Sequence, residues 1–302
     1  MRSIFQKIFK KLFSISSLKG LNVSLENDDL LNQGISGRGS TLFLGTYTMG
    51  DIDYALKKYG IYSHLKQMGF YPVKIHTQFS EVYKQRIVLY IDDLIPDNIL
   101  AELVIQKKQI KLNFGDYPKK AEEPFLFLVI EWLLLQNPKG VFTTEKLQLP
   151  GQEKPGLGIG KSVLHLLSTI SKQIFTAGLI NYPEHLHNGV MYSKKFKFIS
   201  PEKSGIVKKL MATIGSELGL GLTSWAVELG CINMNGQLFN WEEAPQVIPR
   251  NAFLNAYFSS DYYRELEDRA YADNSFSLDK NLFKTKLAKL NIGGLDITQI
   301  QI

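Results

Sequence analysis

The run Pro150–Ile199, PGQEKPGLGIGKSVLHLLSTISKQIFTAGLINYPEHLHNGVMYSKKFKFI, constrains this chain more than any other stretch. Three glycines, Gly156, Gly158 and Gly160, lead straight into a segment in which Val163, Leu164, Leu167, Ile170 and Ile174 recur at helical spacing. That period predicts a helix over 161–175 with one apolar face. A short strand is predicted at 178–182, followed by a turn carrying Glu184, His185 and His187, then Tyr192 and a KKFKF run. Glycine lets backbone N–H groups approach an anion closely, and the helix N-terminus behind it adds positive potential. Gly156–Ser162 is therefore a candidate phosphate-binding loop.

Upstream, 51–68 reads as one or two helices broken near Gly60, and 71–78, 86–91, 103–112 and 125–135 read as strands rich in β-branched and aromatic residues. Downstream, 206–216 reads as a helix, 223–233 as a strand or helix, and 252–266 and 280–290 as closing helices or loops, while Asn235-Gly236 is a type I′ hairpin signal. Strands and helices alternate with several hairpins. This predicts an α/β (α+β) body with a mixed, mainly antiparallel central sheet flanked by helices.

Composition narrows the function classes. A chain of 302 residues with 44% hydrophobic content can bury one large core or two modest ones. One cysteine, Cys231, excludes an internal disulfide and a Cys-rich zinc site and suits a cytoplasmic, reducing setting. The longest apolar run, FLFLVIEWLLL at 125–135, is broken by Glu131 and too short to span a bilayer. Net charge of +6 fits an anionic ligand or surface without selecting one.

Residues 1–20 carry five basic residues and no acidic one, with Ile4, Phe5, Ile8, Phe9, Leu12 and Phe13 at helical spacing. Such a basic amphipathic helix can lie peripherally on an anionic membrane surface or dock on its own protein. An Asn-, Ser- and Gly-rich linker follows over 21–46.

Two readings of the glycine loop compete. Gly160-Lys161-Ser162 matches the second half of a P-loop, but Pro155 stands where the leading glycine belongs, and proline has no N–H. The segment LQLPGQEKPGLGIGKSVLHLL more closely resembles the pyrophosphate loop and following helix of the GNAT superfamily of N-acetyltransferases. The tract from His185 to Phe198, HLHNGVMYSKKFKF, is similar to the helix that follows the family's next strand, with Tyr192 at the position of the family's tyrosine. The departures are Pro155 at the family's Arg/Gln position, His185 at its asparagine, Asn188 at its alanine, and an aromatic, Phe198, one residue late.

The resemblance implies an acyl-CoA N-acyltransferase-like domain over 47–200, with 201–302 as a C-terminal extension packed on the core. It implies acetyl-CoA or another acyl-CoA as co-substrate, its pyrophosphate at Gly156, Leu157, Gly158, Ile159, Gly160, Lys161 and Ser162. An amine, on a small molecule or peptide, would be the acceptor and Tyr192 the acid that protonates the leaving thiolate. From the residues themselves, Glu131 is a candidate general base, because a carboxylate among apolar neighbours can have a raised pKa. His185 and His187 are candidates for base, orienter or metal ligand, though no HExxH pattern or third nearby ligand accompanies them and no metal is expected. The alternating Lys194–Phe198 run fits a half-buried strand better than a nucleic-acid surface. A catalytically inactive GNAT-like binding module, with 1–20 available to hold it at a membrane surface, stays open beside the transferase.

Overall fold

The computed structural model describes residues 42–78, 84–118 and 123–295, all within one compact unit, Gly39–Ile302. The basic segment 1–20 and the linker up to residue 41 lie outside the described residues.

The chain enters through α1 (Met49–Lys58) and α2 (Ile61–Gln67). A Thr48–Asp51 capping box starts α1, satisfying two donors that a helix start leaves open. Gly60, at φ 73°, makes the break between the two helices. Four strands follow as a meander: β1 (Val73–Gln78), β2 (Lys84–Ile91), β3 (Ile99–Ile110) and β4 (Phe125–Leu135), each antiparallel to the next. Helix α3 (Gly160–Gln173) carries the chain over the sheet to β5 (Gly178–Asn181), which pairs parallel to β4. Then come α4 (Leu186–Tyr192), β6 (Lys197–Phe198), α5 (Pro201–Ala212) and α6 (Ile214–Glu228), the last kinked at Gly219. A hairpin of β7 (Ile232–Met234) and β8 (Gln237–Leu238) turns at Asn235-Gly236, both at positive φ, as the dipeptide predicts. β9 (Gln246–Pro249), α7 (Ala252–Phe258), α8 (Asp261–Asp273), β10 (Phe276–Leu278) and α9 (Lys280–Leu287) complete the order.

The main sheet has seven strands in the order β1-β2-β3-β4-β5-β9-β6, and β10-β7-β8 form a second, small sheet. The body is thus mixed α/β with a mostly antiparallel sheet. Alternation along the strands sorts side chains to two faces. Phe127, Val129, Ile180 and Val247 point to the face covered by α7 and α8, where Leu254, Tyr257 and Tyr263 complete a core. Leu128, Ile130 and Leu179 are equally buried on the other face. The α1–α2 pair and α3 pack together there, through an edge-on Tyr59–His165 ring contact and a bond from the Tyr47 hydroxyl to Gln173. A separate cluster joins Leu186 of α4 to α6, α9 and Phe239. β9 is inserted between β5 and β6, so the region beyond Pro201 is built into the sheet itself.

Candidate functional site

The site begins with a parting of strands. β4 and β5 pair from Phe127↔Gly178 to Ile130↔Asn181 and no further. β4 continues five residues beyond that point, to Leu135. On the edge that β5 has left, the next main-chain bonds are made by the glycine loop: Leu157 N–H donates to Leu135 (3.2 Å) and Asn137 N–H to Pro155 (2.7 Å). Between the end of β5 and this loop, β4 has no strand opposite its free edge among the described residues, over a length of roughly 15 Å.

Glu131 stands at the inner end of this notch. The β3–β4 register shifts between Val104↔Trp132 and Ile105↔Ile130, so Glu131 is the extra residue of a β-bulge. Bulges re-aim side chains, and this one leaves the carboxylate exposed, accepting a hydrogen bond from Gln106. Tyr182, the first residue past β5, lies near enough to Glu131 for the carboxylate to raise its pKa, after the larger effect of its own partial burial. The hydroxyl therefore keeps its proton at neutral pH. Trp132, next to Glu131 in sequence, and Tyr182 both expose large aromatic surface.

The glycine loop closes the outer end. Leu157 and Ile159 are buried and anchor it, while Gly156, Gly158 and Lys161 face solvent. Only Gly158 of the three glycines has positive φ, at 82°. The His64 ring of α2 lies against it: a Cβ on Gly158 would meet Nε2 at 3.4 Å, and Nε2 lies 3.1 Å from the Leu157 carbonyl. With a carbonyl as partner, that nitrogen carries the proton. The N-cap of α3, Ile159, has no side chain able to cap, and the amides of Gly160, Lys161 and Ser162 find no acceptor among the described residues. Three N–H groups and the helix dipole are thus open to an anion.

The remaining predicted residues sit on or beside α4. Tyr192 ends that helix against Phe196, and burial raises its pKa. His185 is the N-cap, with Nδ1 3.4 Å from Glu228 and its ring stacked 5.4 Å from His187. His187 is buried and lowered to about 4, chiefly by burial and then by His185, so it is neutral at pH 7. Its Nδ1 has no hydrogen-bond partner among the described residues. The structure thus brings Glu131 together with Tyr182, and His185 with His187, and records no contact between Tyr192 and the glycine loop. Tyr182 and His64 escaped the sequence reading. Tyr182 had a signal, being a polar aromatic at the end of a buried strand next to Pro183; His64 had none, since its partner is 93 residues away. Among the described residues no group of three or more His, Cys, Asp or Glu could hold a metal ion, and no helix is long and apolar enough to cross a membrane. No protein-family model matches the chain, and no curated protein matches its sequence.

Proposed function

We propose that this chain is an acyl-CoA-dependent N-acyltransferase of GNAT type, using an acyl-CoA-like notch between β4 and β5. The observation that carries the reading is the notch: a parallel strand pair that parts, a helix start with unpaired amides at the open end, and an exposed carboxylate at the closed end. The free edge of β4 suits the amides of an extended pantetheine arm, which can add to a sheet edge as a strand does. The diphosphate would lie at the amides of Gly158–Ser162, with Lys161 adding charge.

In the reaction, the acceptor nitrogen attacks the thioester carbonyl carbon while Glu131, directly or through water, takes the nitrogen's proton. The tetrahedral intermediate expels the CoA thiolate as the C–S bond breaks. A tyrosine returns a proton to the sulfur. Tyr192 fills that role by resemblance, and Tyr182 is the hydroxyl beside Glu131. Both hold their protons at neutral pH, as an acid must. A P-loop is less well supported, because residues 136–159 separate β4 from α3, whereas that loop joins strand and helix directly.

The test is thermal shift followed by a thiol-release assay with acetyl-CoA and a panel of amines. CoA should raise the melting temperature, Gly158→Trp should abolish that rise, and Glu131→Gln should cut kcat/KM about 100-fold or more without changing the melting temperature. A shift from Mg-ATP with none from CoA would overturn the reading. A CoA shift without turnover would leave a binding module, whose attachment to anionic vesicles through 1–20 a deletion of 2–18 would settle.

A further inference from the structure

The two tyrosines with a claim on the departing thiolate occupy different parts of the sheet. β5 stops two residues before Pro183, which has no N–H to continue a ladder with β4. The Pro183 carbonyl instead accepts a hydrogen bond from Trp241 Nε1 (3.0 Å), which holds the chain where it leaves the sheet. Tyr182 lies at this point of departure, and a residue before proline is confined to extended backbone. The last β4–β5 pair is Ile130↔Asn181, so the next residues along the two chains are Glu131 and Tyr182. Neighbouring strands lie about 5 Å apart, which makes these two the first step of the opening notch. Both are exposed to it, Tyr182 by 41%. Gln106 Nε2 holds Oε1 of Glu131 and leaves Oε2 to a substrate. Tyr192 sits elsewhere. It ends α4 with its ring 5.9 Å from that of Phe196, the residue before β6, and β5 and β9 separate β6 from β4.

We propose that Tyr182, rather than Tyr192, is the acid that protonates the departing thiolate, and that Glu131 then restores its proton. The inference rests on the acyl-CoA reading. A pantetheine arm laid along the free edge of β4 from the glycine loop brings its sulfur to the inner end of the notch, where the two side chains stand. The acceptor N–H proton passes to Glu131 as the N–C bond forms, and the C–S bond breaks with its electron pair on sulfur. The Tyr182 O–H gives its proton to that sulfur, and the phenolate regains one from the Glu131 carboxylic acid. Amide and CoA thiol leave with both residues reset. Partial burial, and after it the charge of Glu131, keep the Tyr182 proton in place until sulfur calls for it. The pKa of Tyr192 is raised by burial with no carboxylate contributing, so an acid there would draw its next proton from solvent.

Steady-state kinetics of the full chain with acetyl-CoA, and the amine turned over fastest in the thiol-release panel, test the assignment. Tyr182→Phe keeps the ring and removes only the hydroxyl. It should lower kcat about 100-fold, with the KM for acetyl-CoA and the melting temperature unchanged. With the acetyl thioester of para-nitrothiophenol, whose acidic thiol departs without a proton, the same variant should match the unaltered protein. Tyr192→Phe should keep kcat with both thioesters. A loss confined to Tyr192→Phe, or equal losses with both thioesters in Tyr182→Phe, would overturn the role of Tyr182 and leave the acyl-CoA reading standing. CoA binding without turnover would also remove the acid and leave a binding module. Failure of the unaltered protein to bind CoA would overturn the acyl-CoA reading, and the acid with it.

Discussion

Gly158 and His187 illustrate how one residue can be legible in sequence and another not. The glycine triplet marked the loop, but only Gly158 needs to be glycine, since Gly156 and Gly160 have ordinary φ and a Cβ on either would make ordinary contacts. Gly158→Ala should therefore destabilise the fold by about 1 kcal/mol and weaken CoA binding, whereas Gly160→Ala should be neutral or slightly stabilising. Urea melts and CoA titrations of both variants check this, and equal losses would count against it. His187 was marked as chemistry by its titratable neighbours, yet its surroundings lower it from 6.5 to about 4. An unfolded chain takes up this proton below about pH 6.5, while the folded chain refuses it until about 4. Stability should accordingly fall as pH drops through that window, by on the order of 3 kcal/mol, and level off beneath it. His187→Leu should flatten this part of a plot of urea midpoint against pH; an unchanged slope would refute the assignment. Burial of this kind depends on residues far along the chain, which no local pattern reports.

Among the elements, the strands and helices with strong periodicity lie close to their expected positions: β4 at 125–135, α3 at 160–173, and the Asn235-Gly236 hairpin. Weakly amphipathic elements were harder to read. α5 begins at Pro201, where Ser200 caps it through Lys203 N–H, and α6 runs to Glu228, through residues that read equally as strand. Gly205 shows why. Helix propensity favours alanine over glycine in the interior of α5 by about 1 kcal/mol. Yet this glycine lets α8 approach: an added Cβ would run into the Glu267 carbonyl oxygen and come within 2.9 Å of the Ala270 Cβ. Gly205→Ala should lower stability by about 1–3 kcal/mol, the opposite sign to propensity. Thermal denaturation checks it, and a gain in melting temperature would show that α5 and α8 can separate without cost. The β4 bulge at Glu131 has the same character, for nothing in FLFLVIEWLLL says that β3 skips a residue there.

Over the whole molecule, the decisive feature is the return of the chain at β9. The resemblance to the acetyltransferases implies a domain over 47–200 with the rest as an extension; in the fold β9 pairs with β5 and β6, and α7 covers Phe127, Val129 and Ile180. A chain terminated at Ser200 would leave β5 as a bare edge and that face open to water, so it should be insoluble or bind hydrophobic dye strongly. A soluble fragment with a cooperative melt would disprove this dependence. By itself the sequence determined the mixed α/β class, the positions of its main strands, the amphipathic α3 and the glycine turn before it, because each of these is written in periodicities of a few residues. Tertiary structure alone decided where β4 and β5 part, that Tyr182 lies near Glu131, that His64 lies on Gly158, and that Asn181 and Gln246 are buried opposite one another. These depend on pairing between segments tens of residues apart, where register and burial, rather than local pattern, determine which atoms meet.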